Sequence, residues 1–142
     1  MDDAGSKRQI VLPEGWKRAK GFSYGVYAPD RMPLFIAGQL AVVDGATAPA
    51  AGMTFSQQFE LALGNVVAVA EAAGGAAADI ASLRVFVTSI AAFKSAQQDI
   101  AASWRRILGS HFPAMTLVEV TALFEPTADV EIEAVALLKK ED

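Results

Sequence analysis

The chain contains no cysteine and a single histidine, His111. The first absence excludes disulfides, thiolate metal sites and a thiol nucleophile; the second excludes a multi-histidine metal centre. Basic charge is also scarce, with 12 Lys and Arg against 16 Asp and Glu and a formal net charge of −4. Neutralising nucleic-acid phosphates takes clustered cations, and the only cluster, Lys17, Arg18 and Lys20, is short and reads as solvated. No nucleic-acid partner is expected. Ser23, Ser56 and Ser110 lack a nucleophile-elbow context, and no glycine pattern follows a strand and opens a helix as phosphate binding requires. No metal or nucleotide cofactor is expected either. Apolar runs fall short of membrane length, and MDDAGSKRQI, with two acids and no apolar centre, does not read as a signal peptide. The expectation is a cytoplasmic protein without membrane contact.

What is present is apolar. Hydrophobic residues make up 53% and charged residues 20% of the 142, with alanine frequent. That balance predicts one compact domain over 1–142, with a polar tail at 1–8, and so much apolar surface on a small chain points to a buried subunit interface.

Periodicity orders the elements. QIVLP, GFSYGVYA and PLFIAGQLAV read as strands, the last two joined through the turn-rich PDRMP as a hairpin. A loop, DGATAPAAGM, follows. Thr54 and Gln57 then form a capping box, and Phe55, Phe59, Leu63, Val66 and Ala70 recur at helical spacing until Gly74 and Gly75. SLRVFVTS reads as a strand. A second helix carries Phe93, Ile100, Trp104 and Ile107 on one stripe and stops near Gly109. Two alternating segments, MTLVEVTAL and DVEIEAVALL, close the chain, and the short FEPTA between them predicts an antiparallel pair. The fold class is α+β, a sheet with two helices packed on one face.

Strand alternation then sorts the faces. Leu83, Val85 and Val87, together with Val118, Val120, Ala122 and the set Val130, Ile132, Ala134 and Ala136, are expected under the helices. Arg84, Phe86, Met115, Leu117, Glu119, Glu131 and Glu133 are expected opposite. Pairing Thr121 with Glu131 would set Glu119 against Glu133; a slip of two residues would pair Thr121 with Glu133. In either register three carboxylates gather. Out of bulk water such a cluster could hold a proton near neutral pH and serve as general acid or base; on an open face it is solvated charge. Arg84 would pair with one of them. Gln97, on the second helix's apolar stripe, is either a surface residue at the stripe's edge or an amide aimed into a pocket, and His111 reads as a loop or cap residue.

In order and spacing FIAGQLAVVDG, FELALGNVVAVAEAAGG, LRVFVTSIAAF, FPAMTLVEVTAL and VEIEAVAL resemble the YjgF/RidA (Rid) family, also called endoribonuclease L-PSP, from about Gly21 to Leu138. The resemblance implies a chorismate-mutase-like fold in a homotrimer around a central barrel, with small-molecule clefts between subunits. It implies hydrolysis of enamines and imines such as 2-aminoacrylate without a cofactor. In that reading an arginine grips the substrate carboxylate and a glutamate holds the attacking water.

Transferred residue by residue, the site is altered. Gly38 and Gln39 match the family's SGQ turn, with Ala37 in place of serine; Phe22 stands where the deaminases have tyrosine, with Tyr24 nearby; Gln97 replaces an asparagine. Glu131 matches the water-holding glutamate. Met115 replaces the arginine of FPARS, and Leu117 the cysteine two residues on. Losing that arginine removes a charge-assisted pair of roughly 1.5 to 3 kcal/mol, so 2-aminoacrylate should be a poor substrate and the cleft should suit a larger or less charged ligand. The opening GWKRAKGFSYGV is similar to a branch outside the arginine-bearing deaminases. Two functions follow from the resemblance: a deaminase-like hydrolase, or a non-catalytic metabolite-binding or chaperone-like trimer. Ribonuclease activity fits poorly, for want of a basic footprint and an acid/base pair.

Overall fold

The computed structural model describes residues 8–44 and 46–140; apart from Arg8, the expected tail lies outside them. Strands β1 (Gln9–Val11), β2 (Gly25–Tyr27), β3 (Arg31–Gln39), β4 (Ile80–Val87), β5 (Ala114–Glu119) and β6 (Val130–Lys139) alternate with helices α1 (Phe55–Ala72), α2 (Ile90–Ser95) and α3 (Gln97–Leu108). The architecture is α+β: a four-stranded mixed sheet in the order β3-β6-β4-β5, and a separate β1-β2 ribbon. Among the described residues no helix is long and apolar enough to cross a membrane.

Helix α1 forms as its sequence dictates. The Thr54 hydroxyl accepts from the Gln57 amide while the Gln57 side chain accepts from the Thr54 N–H, closing the capping box. Phe59, Leu63, Val66 and Ala70 are buried against the sheet. They meet Leu83, Val85 and Val87 of β4 and Val130, Ile132, Ala134 and Ala136 of β6, the alternate residues expected to face the helices. The second helix is broken. Ala96, at φ −98° and ψ 9°, ends α2 and begins α3, so Gln97 opens a new helix rather than sitting mid-stripe.

Two hairpins expected from the sequence do not form. β2 pairs with β1, and β3 pairs antiparallel with β6. Between them only Asp30 takes positive φ, at 58°, whereas a tight two-residue turn of the favoured type I′ needs it at both central positions. At the chain's end, β5 runs parallel to β4 and β6 occupies the other side of β4. The unit β4-α2-α3-β5 is a crossover, which joins parallel strands, so segment 120–129 must pass the end of β4 to reach the slot beside β3. Gln58 fixes that passage: only 3% exposed, it donates from Nε2 to Thr127 O (3.3 Å) and Asp129 Oδ2 (3.1 Å) and accepts from the Asp129 N–H (2.9 Å).

The parallel pairing reverses the parity expected of β5. Met115 lies beside Leu83 and Leu117 beside Val85, so both face the helices, while Thr116 and Val118 face outward. The carboxylate cluster dissolves accordingly. Glu119 accepts from the Ile90 N–H at the start of α2 (3.0 Å), and Glu133 pairs with Arg84 across the β4-β6 ladder (Nη1 to Oε1, 3.0 Å). Glu131, opposite Phe86, is left on the outer face. Among the described residues no helix covers that face, and Phe35 on it is 78% exposed.

Candidate functional site

The residues singled out by sequence fall into three places. Gln97, Met115 and Leu117 line one cavity, about 520 Å³, between α3 and the β5 edge of the sheet. This size is ordinary for a small-molecule site. One face of α3 supplies Gln97, Ile100, Ala101, Trp104 and Arg105, the spacing of helix neighbours; α1 and α2 add Phe59 and Phe93. Met115 and Leu117 enter from β5, and Lys20, Gly21 and Phe112 close the far side. The walls are mostly apolar, and no Asp or Glu lines them.

Local chemistry fixes the far side. The Ser23 N–H donates to Pro113 O (3.0 Å) and its hydroxyl to Phe112 O (2.5 Å). The Trp104 indole N–H donates to His111 O (3.1 Å), and its ring stacks on Phe112 with centroids 5.9 Å apart. His111 is a strut, as its loop position suggested. Its Nε2 lies 2.6 Å from Ile80 O, which requires the Nε2–H tautomer to donate. Burial holds its pKa below the ordinary histidine value; the Ile80 carbonyl opposes that effect, Arg8 adds to it and Asp79 opposes it.

A second cavity of about 460 Å³ lies under the β1-β2 ribbon and takes Phe22 and Tyr24, beside Arg8, Arg18 and His111. Phe112 lines both cavities and so forms their common wall.

The third group sits at the opposite edge of the sheet. β3 breaks register between Ile36 and Gln39. Gly38 lies in that irregularity, and the Glu131 side chain crosses directly over its Cα: a Cβ built on Gly38 would stand 2.8 Å from Glu131 Cδ and 2.9 Å from Cγ. The Gln39 amide donates to Ala37 O (3.1 Å). Ala37 also lines a smaller outer hollow of about 320 Å³ with Arg84 and Glu133. Within the chain Glu131, Ala37, Gly38 and Gln39 therefore belong to the β3-β6 side, and Gln97, Met115 and Leu117 to the β5 side.

Sequence reasoning missed Arg105, Trp104 and Phe112 as cavity residues; Lys20, exposed as read, also borders the cavity. Arg105 had a signal: it follows Gln97 by eight residues, on the same helical face. Among the described residues, no three or more His, Asp or Glu side chains are placed to hold a metal ion.

Comparison with known proteins agrees with this architecture. The family model for Endoribonuclease L-PSP matches residues 17–138. YyfB from Yersinia pestis, a Rid-family protein of unknown function, superposes with a TM-score of 0.78 at 30% identity, covering 92% of this chain and 98% of that one. The YjgF gene product of E. coli gives 0.64 at 28% identity, and E. coli TdcF with bound serine 0.64 at 25%, each covering 91% of this chain and 98% of its own. Among curated proteins, none matches the chain in sequence. The family match over nearly the whole length, joined to the shared fold, means that the chain belongs to the YjgF/Rid, or endoribonuclease L-PSP, family.

Proposed function

We propose that the protein is a homotrimer that binds small imines, enamines or related carbonyl compounds in clefts between subunits and hydrolyses them with water held by Glu131. One observation carries this reading: the two groups of site residues lie toward opposite edges of one sheet, β5 and β3. A head-to-tail ring sets one protomer's β5 edge against the next one's β3 edge, and so completes a site that neither edge holds alone. The uncovered outer face, with Phe35, Phe86, Val118 and Val135, would then line the inside of the ring. The apolar residues of that mixed face favour burial against copies of the same face, and Arg84 is already paired with Glu133.

In the cleft, Gly38 leaves room for the Glu131 carboxylate to lie against the backbone, where it can orient a water toward an imine carbon. Addition of that water and expulsion of ammonia yields a carbonyl compound; Glu131 takes a proton from the water and returns it to the leaving nitrogen. No metal or organic cofactor enters this scheme. TdcF carries serine, a small zwitterion. Met115 and Leu117 give this chain an apolar floor instead, which favours a ligand with more apolar surface than 2-aminoacrylate.

The test uses imines formed in situ by an amino-acid oxidase, with the keto acid followed over time. Imines from leucine or phenylalanine should be hydrolysed faster than 2-aminoacrylate, and Glu131→Gln should lower turnover about a hundredfold. Met115→Arg should raise the 2-aminoacrylate rate. Efficient 2-aminoacrylate hydrolysis that ignores Met115 would overturn the assignment. Absence of any turnover, with ligands still stabilising the fold, would leave a binding protein in its place.

A further inference from the structure

The cavity beside α3 has a charge asymmetry that the hydrolytic scheme does not use. Its floor and walls are Phe59, Phe93, Ile100, Trp104, Met115 and Leu117, yet Lys20 and Arg105 stand on its lining with no acid among the lining residues. Both are exposed, and neither side chain has an ion-pair partner among the described residues. A short chain of contacts links their surroundings. Lys20 precedes the segment that Ser23 ties to the 112–113 backbone, and Phe112 stacks on Trp104, the residue before Arg105. Gln97 marks the other end, eight residues back along α3, which is about 12 Å of helix.

We infer that the cleft takes an amphipathic carboxylate: an apolar body lies over Met115 and Leu117, and the acid group is held at the rim by Arg105 and Lys20. This deepens the proposed function by naming the ligand class, and it rests on that cleft being the ligand site. The physical argument is complementarity. An anion gains where two cations without ion-pair partners can both donate to it, and the apolar wall beside them takes up the ligand's body. Position 115, on the strand floor, would meet a short substrate's carboxylate; the rim cations are displaced along α3 and meet the acid group of a longer one. Charge stands at the rim and not at position 115, so the ligand it selects is correspondingly longer and more apolar. Gln97 can donate to or accept from a polar group at the body's far end.

The probe pair is 3-phenylpropionate and 3-phenylpropionamide, equal in shape and differing in charge, titrated into the intact protein by calorimetry. The acid should bind about tenfold more tightly than the amide, and the preference should shrink as salt rises. Arg105→Gln and Lys20→Gln, both at exposed positions that leave the core untouched, should each weaken the acid about threefold or more and leave the amide unchanged. Equal binding of acid and amide, or acid binding indifferent to both substitutions and to salt, overturns the inference. Charge-dependent binding with no imine turnover supports this inference and defeats the hydrolytic reading. Turnover of imines with charge-blind binding does the reverse.

Discussion

Gly38→Ala isolates the tightest approach at the candidate site. Gly38 does not occupy the left-handed region, so its backbone suits alanine and strain of that kind plays no part. The whole cost comes from the new methyl, which would sit 2.8 Å from Glu131 Cδ and 2.9 Å from Cγ, inside any normal carbon contact. Both atoms belong to the body of the side chain, so Glu131 must rotate away as a unit. Overpacking of this sort costs about 1–3 kcal/mol. Glu131→Ala removes the obstructing atoms, and in that background Gly38→Ala should cost nothing, or stabilise by about 0.4–1 kcal/mol through the less flexible unfolded chain. The double-mutant cycle should therefore return a coupling of about 1 kcal/mol or more. Urea denaturation of the four proteins at one fixed concentration measures it. Additive effects within about 0.5 kcal/mol would refute the close approach. In the imine assay, Gly38→Ala should lose turnover along with Glu131→Gln, because the first pushes the carboxylate aside and the second replaces it with an amide that cannot take the proton.

Three further outcomes follow from the packing. Gln58→Ala leaves the Asp129 N–H and Thr127 carbonyl without their partner and should lower stability by about 1–3 kcal/mol, read by urea midpoint. Leu63→Ala, at a fully buried position under the sheet, should cost about 2–5 kcal/mol, and a loss near zero would contradict its place in the core. His111 has a pKa below its ordinary value of 6.5, so the unfolded chain binds the extra proton first. Its contribution to stability is therefore full above pH 6.5 and is lost as pH falls through that value toward the lowered one. His111→Gln should flatten this part of the urea-midpoint profile between neutral and mildly acid pH; an unchanged profile would assign the slope to other groups.

The elements and their buried faces were legible because they rest on local rules. The capping box at Thr54 and the α1 stripe formed as read, and so did the alternation in β4 and β6. The cross-strand contact of Arg84 with a glutamate also follows from alternation, since it needs only that both residues face outward on neighbouring strands. The site was legible only in pieces. Met115 stood out as the place where a charge was missing, but Lys20 and Arg105 were not connected to it, because eighty-odd residues separate Lys20 from Arg105 in the chain and no period links them.

The sequence by itself determined the order of most strands, the first helix with its cap, the absence of thiol chemistry and the family, since these depend on residue types and spacings within short windows. Only the tertiary structure decided which strands pair. A short connection predicted a hairpin for the last two strands, but the helical crossover set β5 parallel to β4 and left β6 its other side. That choice turned Met115 and Leu117 from the outer face to the helix face and separated Glu119 from Glu131 and Glu133. The reason is geometric: side-chain facing has a period of two along a strand, so the partner and register, which are long-range properties, decide where a residue's chemistry points.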